Sequence, residues 1–432
     1  MKDDGNAQKV TLRELILRMG RSSHREKLRV AAEFLTVGFC TLAFAFMIVG
    51  LSTSLLEKNA AGTRDFVEYW ASGRQLVHHA NPYDTDAILA LEHSAGLHSG
   101  TPALVMGNAP PALLLVYPAG LLGPTPGVVL WSLFLLACLV ASVQMVRKMH
   151  GSPKNHLHFL GYTFAPALIC LGAGQLSLFV LLGLVLFLRL ERSRPFWAGA
   201  SLWLCMLKPQ LFLPFGLVLL AWIVATRSYR ILVGAVSAIG LSALAVEVLD
   251  RQVWKQYHQM MSALRYDMLP IPCFSIVLRR SISPNALWLQ YLPALQGGIW
   301  ALAYYRKHRE HWDWRTHGLL LTMVSVLVAP YTWFIDQVVL IPALLHGVYV
   351  TRSRVLLAVL ALTSAVIEVV PLHGIPVLQS PFYLWTVPAW IAWYLYATRA
   401  AGPAQASAAQ RDEEEGRTQT NAAIESPVGS SV

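Results

Sequence analysis

The sequence predicts an all-α fold: a polytopic integral membrane helical bundle of about twelve spans with a large first external loop. Three observations predict it. The 432 residues are 55% hydrophobic and 13% charged, where soluble domains carry about 25% charged residues. Apolar runs near the roughly 17–25 residues that cross a bilayer recur along the whole chain. Between those runs Lys and Arg gather in clusters that fall on one side when the chain alternates, as the positive-inside bias requires.

Taken in order, residues 1–28 form a polar tail with Arg21, Arg25 and Lys27, placed in the cytoplasm. The apolar run 29–51 is too long for the core of a cleaved signal and reads as a first span. Residues 52–125 then make one external loop with juxtamembrane helices. In "TRDFVEYWASGRQLVHHANPYD", 63–84, helical spacing puts Asp65, Glu68, Tyr69 and Ser72 on one face and Phe66, Trp70 and Val77 on another. That is an amphipathic helix lying at the outer surface, closed by Asn81-Pro82. "APPALLLVYPAGLLGP", 109–124, is about half a span and is interrupted by proline, so it reads as an interfacial or re-entrant helix. Counted as a span, it would throw Arg147 and Lys148 outside.

The later runs lie near 126–146, 157–173, 175–190, 195–207, 211–225, 231–249, 286–303, 317–330, 336–350, 355–371 and 382–398. With the N-terminus inside, Arg147/Lys148, Arg192/Arg194, Arg227/Arg230, Arg306/Lys307/Arg309, Arg352/Arg354 and Arg399 are all cytoplasmic. The net charge of +10 is therefore a topology signal, and no nucleic-acid partner follows from it. The transmembrane domain covers 29–400, and 401–432, rich in Ala, Ser, Gln and acids, reads as a disordered cytoplasmic tail.

The external side collects polar residues that topology does not explain. Asp65 and Glu68 follow the first span; they are either a solvated helix face or a carboxylate placed as a general base. "GAGQLS", 172–177, leaves Gln175 at an outer turn, and "CMLKPQLFLPFG", 205–216, sets Lys208 and Gln210 between apolar runs. Lys208 either snorkels to the headgroups or holds an anionic lipid phosphate. Arg279 and Arg280 lie outside against the bias, and "APYTWFIDQ", 329–337, brings Tyr331, Trp333, Asp336 and Gln337. The five cysteines show no metal or disulfide spacing, and adjacent His78 and His79 point apart on a helix. No metal and no cofactor are expected. No Gly-x-x-x-x-Gly-Lys loop points to a soluble nucleotide donor.

Four stretches in this order, "DFVEYWASGRQLVHHANPYD", "PPALLLVYPAGLLGP", "GQLSLFVLLGLVLFLRLERSRPFWAGASLWLCMLKPQLFL" and "APYTWFIDQVVLIPALL", resemble glycosyltransferase family 87. "NAPPA" departs from it, since members often carry an aromatic residue before Pro-Pro. The resemblance implies a GT-C-like bundle in the bacterial inner membrane, with its active site on the periplasmic side. It implies transfer of a hexosyl residue, mannosyl in the best-understood branch, from a polyprenyl-phosphate sugar donor to a lipid or glycan acceptor. The family's acid in the first external loop carries onto Asp65 as catalytic base in an inverting reaction. Lys208, Arg279 and Arg280 are the candidates for the departing phosphate. Glu68, Tyr69, Gln175, Gln210, Tyr331 and Asp336 complete the expected substrate-binding set.

Two other functions compete. A transporter or flippase of polyprenyl-linked intermediates wants ionisable residues near the bilayer midplane, but Glu247 and Glu368 sit near span ends. An inactive scaffold gives no reason for an acid such as Asp65.

Overall fold

Proline and glycine decide where the helices of this chain start and stop, because proline fixes φ and lacks an N–H while glycine accepts a left-handed turn. The computed structural model describes residues 61–264, 271, 273–351, 353–369 and 380–399, with isolated positions 38, 45 and 49. Apart from those isolated positions, the expected tail 1–28, the expected first span 29–51 and the expected tail 401–432 lie outside the described residues. Among the described residues every regular element is a helix.

After α1 (Phe66–Val77) and α2 (Thr85–Ser94), the chain makes a 3-10 turn at Pro110–Ala112 that runs into α3 (Leu113–Gly120). Then come α4 (Pro124–Met149), α5 (Phe159–Tyr162), α6 (Ala165–Ala173), α7 (Ser177–Leu190) and α8 (Pro195–Cys205). A 3-10 turn at Pro209–Phe212 leads into α9 (Leu213–Thr226), followed by α10 (Tyr229–Leu249), α11 (Val253–Leu264), α12 (Phe274–Ile282) and α13 (Trp288–His308). The last are α14 (His317–Leu327), a 3-10 turn at Phe334–Leu340, α15 (Ile341–Val350), α16 (Arg354–Val369) and α17 (Thr386–Arg399). Proline stands in the first turn of α4, α6, α8, α9 and α15, where its missing N–H costs nothing.

Three described helical stretches are long and apolar enough to cross a membrane: Pro124–Met149, Pro209–Thr226 and Tyr229–Leu249. Other apolar helices are shorter, including Ser177–Leu190, His317–Leu327 and Phe334–Val350. The twelve uninterrupted runs expected from sequence are thus not reproduced as twelve span-length helices. The run 157–173 divides at Thr163–Phe164, and the run 336–350 begins as a 3-10 turn. Irregular backbone at membrane depth is tolerated where protein buries it or it lines a cavity. The breaks after α6, after α8 and before α15 meet at one such cavity.

The helix expected to lie on the outer surface does not. Phe66, Val67, Tyr69, Trp70, Ala71, Ser72, Gly73 and Leu76 of α1 are all buried, on both faces of the supposed amphipathic pattern. Helix α3 covers one side of α1, and their backbones touch at Gly73 and Gly120, where an added Cβ on either would strike the other chain segment. Helix α4 covers another side through Trp131, which lies within 6.1 Å of Phe66 and 5.6 Å of Tyr69, ring to ring. The 3-10 turn and α3 together are about 18 Å long at 2.0 and 1.5 Å per residue, well short of a bilayer core of about 30 Å.

Candidate active site

The cavity where the breaks meet has a volume of about 480 Å³, within the range of small-molecule sites. Its wall is mostly apolar, with Asp65, Glu68, Tyr69, Gln175, Lys208, Tyr331 and Trp333 as the notable polar or amphipathic groups. Each comes from a place where a helix starts or stops.

Asp65 is the residue before α1, yet its side chain caps no N–H of that helix. Its Oδ2 instead accepts from Gln175 Nε2 at 2.8 Å, and Gln175 Oε1 accepts from the Tyr69 hydroxyl at 2.7 Å. Gln175 reaches Asp65 because α6 ends in a left-handed turn at Gly174, φ 79°. A Cβ at Gly174 would lie 2.9 Å from the Cβ of Phe66, so only glycine lets this turn sit against the start of α1. The Gly174 carbonyl is pinned by Trp131 Nε1 at 2.7 Å.

Burial pushes the Asp65 carboxyl above the usual carboxylate range, while the Gln175 hydrogen bond and the Lys208 charge pull against it. Glu68, one turn on, is pushed up to about 8 by burial and then by the charge on Asp65. Glu68 therefore keeps its proton at neutral pH. Burial also raises the hydroxyls of Tyr69 and Tyr331, so both stay protonated donors.

Lys208 follows α8 and precedes the Pro209 turn. Its ammonium does not snorkel. Its side chain is 9% exposed and lies 2.6 Å from Asp336 Oδ1, whose side chain is fully enclosed. The same oxygen accepts from Ser177 Oγ at 2.6 Å, and Oδ2 accepts from the Trp333 amide at 2.9 Å. Asp336 is therefore satisfied by the starts of α7 and the 334–340 turn and by Lys208, and it is not among the residues lining the cavity. It holds the cation in place from behind the cavity wall.

The opposite wall is the segment Pro102–Asn108, which sequence reasoning missed. Leu104 N–H donates to Glu92 Oε2 at 3.0 Å, and Asn108 Nδ2 donates to the carbonyl of Leu207, beside Lys208, at 2.8 Å. Burial raises Glu92 to about 7. Apolar and backbone groups carry most of this wall, so no charge pattern marked it. Ser177, also missed, stood in the quoted "GAGQLS" as an ordinary helix-start serine.

The expected cations Arg279 and Arg280 do not line the cavity. Arg279 is buried on the packed face of α12, whereas Arg280 is exposed, since one residue turns a helix by about 100°. Gln210 also lies off the cavity, with Nε2 buried and unbonded. Among the described residues no three His, Cys, Asp or Glu side chains group as metal ligands would. What the cavity offers is one ionisable base, one protonated acid beside it, and one ammonium with N–H groups to spare.

No curated protein and no solved structure matches the chain. A family model does, that of glycosyltransferase family 87, over residues 108–367. That stretch contains Gln175, Lys208 and Tyr331, which the cavity joins to the preceding Asp65 and Glu68, and Asp336, which holds Lys208. With most of its length matched and its helices apolar, the chain belongs to glycosyltransferase family 87 and is a membrane glycosyltransferase.

Proposed function

We propose that the chain transfers a hexosyl residue, mannosyl by the family resemblance, from a polyprenyl-phosphate sugar to a lipid or glycan acceptor. The reaction takes place on the periplasmic face of the bacterial inner membrane, within a GT-C-like bundle, and inverts the anomeric centre. The observation that carries this reading is the pairing of Asp65 and Glu68 across one turn of α1, facing the Lys208 ammonium in a cavity with mostly apolar walls.

The acceptor hydroxyl gives its proton to Asp65 while its oxygen attacks the anomeric carbon. The bond from that carbon to the phosphate oxygen breaks, and the phosphate leaves with the electron pair on the opposite face. Gln175 occupies Oδ2 of Asp65, so Oδ1 receives the proton. Protonated Glu68 donates a hydrogen bond to a sugar hydroxyl. Lys208 has three N–H donors; one serves Asp336, and the others meet the charge that grows on the departing phosphate. The apolar wall suits the first isoprene units.

The test is to supply radiolabelled polyprenyl-phosphate mannose to membranes carrying the wild-type chain or Asp65→Asn. Label moving to a lipid or glycan with wild type and not with Asp65→Asn supports the reading. Unchanged donor in both refutes the donor class.

A further inference from the structure

A second cavity, of about 180 Å³, lies at the other end of the bundle. Helix α7 starts at Ser177 beside Asp336 and ends at Leu190 beside this cavity, a length of about 21 Å. Helix α14 likewise starts at the second cavity and ends towards the first, and α15 runs the other way. The two cavities are therefore separate sites on common helices.

The polar lining of the second cavity is Arg315, Thr316, His150 and His346. Arg315 donates Nε to the carbonyl of Leu188 at 3.2 Å and Nη2 to that of Arg189 at 3.5 Å, closing the last turn of α7. Its Nη1 makes no hydrogen bond among the described residues. His150 Nδ1 lies 2.9 Å from the carbonyl of Val146, which can only accept, so that nitrogen carries a proton. His150 Nε2 lies 3.0 Å from His346 Nδ1. With both rings neutral, His346 donates from Nδ1 and its Nε2 is a bare acceptor. With one proton added, His150 donates to His346, and Nε2 of His346 becomes a donor. Proton uptake thus turns the pair from acceptor to donor and gives it positive charge beside the guanidinium. No carboxylate lines the cavity; Val146, Met149, Leu188, Leu319 and Pro342 supply its apolar part.

We propose that this cavity binds an anionic phosphate group, held by Arg315 and by the His150–His346 pair, with one proton taken up on binding. Arg315 supplies the permanent charge and a charge-assisted hydrogen bond. The apolar lining accepts the carbon chain to which the phosphate is joined. Asp313 is the acid whose charge reaches His346, and it is itself bound to Arg192 at 2.6 Å. The other rings on the pair are Tyr349, 4.9 Å from His150, and Tyr394, 6.2 Å from His346. This inference stands apart from the transfer reaction and does not rest on it.

The test is calorimetric titration of the purified full chain in detergent with inorganic phosphate, and with sulfate, whose charge is constant between pH 6 and 8. Sulfate, whose charge is also constant down to pH 5, should bind about tenfold more tightly at pH 5 than at pH 8, because only the protonated pair offers the anion a second donor. His346→Asn, which keeps an amide near Nδ1 but cannot titrate, should remove that pH dependence. Arg315→Gln should weaken both anions at least tenfold, and Arg315→Lys should restore most of the loss. Dihexanoyl phosphatidate outcompeting inorganic phosphate assigns the site to a lipid headgroup; weaker competition assigns it to free phosphate. Either result upholds the anion site. Binding that survives in both folded Arg315→Gln and His346→Asn, or that is lost only in Lys208→Ala, overturns it.

Discussion

Gln175 donates to Asp65 at 2.8 Å across 110 positions of sequence, and the same amide accepts from Tyr69, which stands on the helix that Asp65 begins. The amide is therefore oriented from both ends by α1. One oxygen of Asp65 is engaged and the other is left for chemistry. Gln175→Ala should lower kcat by about tenfold with little change in donor KM, since the base is retained but loses its orientation. Gln175→Asn, too short to span both partners, should behave similarly. A rise in donor KM at constant kcat would instead make Gln175 a sugar-binding residue.

Asp65→Asn keeps the size and the Gln175 contact but removes the basic oxygen. Transfer should fall on the order of 10²–10⁴-fold. Retention of the labelled donor by the purified variant should be unchanged, which separates loss of chemistry from loss of binding. Near-normal transfer by Asp65→Asn would falsify the assignment of the base.

The pH profile should have an alkaline limb near 8. Glu68 holds its proton below about 8, and the proposed hydrogen bond to sugar is lost above it. On the acid side, activity should rise as Asp65 loses its proton, at a pH above the usual carboxylate range because burial disfavours its charge. Glu68→Gln donates at every pH, so it should keep partial activity and lose the alkaline limb. A limb unmoved in Glu68→Gln assigns that ionisation elsewhere.

Lys208 and Asp336 form a buried pair, and breaking one side leaves an uncompensated charge. Asp336→Leu should destabilise the fold by about 3–5 kcal/mol, read as lower thermal stability in detergent. Lys208→Met combined with Asp336→Leu should recover most of that loss, because two apolar groups replace the pair. Transfer should stay low in the double variant, and the donor KM should be raised. Recovered transfer together with recovered stability would make the pair purely structural.

The first half of the chain offers a topological check. If 109–124 does not cross, a reporter fused after Lys148 is expected to be cytoplasmic and one fused at His98 periplasmic. A periplasmic signal after Lys148 would restore 109–124 as a span.

The charged and aromatic part of the cavity was legible in sequence because each member stood out against an apolar background. Asp65, Glu68, Tyr69, Gln175, Lys208 and Tyr331 all line it. Their pairing was not legible. Nothing in the spacing of Lys208 and Asp336 says that they meet, because the contact depends on where two helix breaks dock. The burial of Arg279 off this cavity was not legible either, because spacing alone does not say which face of its helix is packed. The wall 102–108 escaped since its contribution is backbone and apolar surface. The membrane class was readable from composition alone, whereas span lengths were not, as the run 157–173 breaks at Thr163–Phe164 and the run 336–350 opens as a 3-10 turn.

Gly174 has no side chain, yet it limits what the site can become. Its backbone lies against Phe66, the neighbour of Asp65. The turn and the base therefore move as one body, and neither can yield to a larger sugar. The 102–108 wall is fastened by side-chain hydrogen bonds through Glu92, Asn108, Tyr83 and Tyr257, and none of them involves the base. A change of sugar preference is then expected on that wall. Chimaeras exchanging 102–108 should change which sugar is accepted, while substitutions at 174 should only switch transfer off.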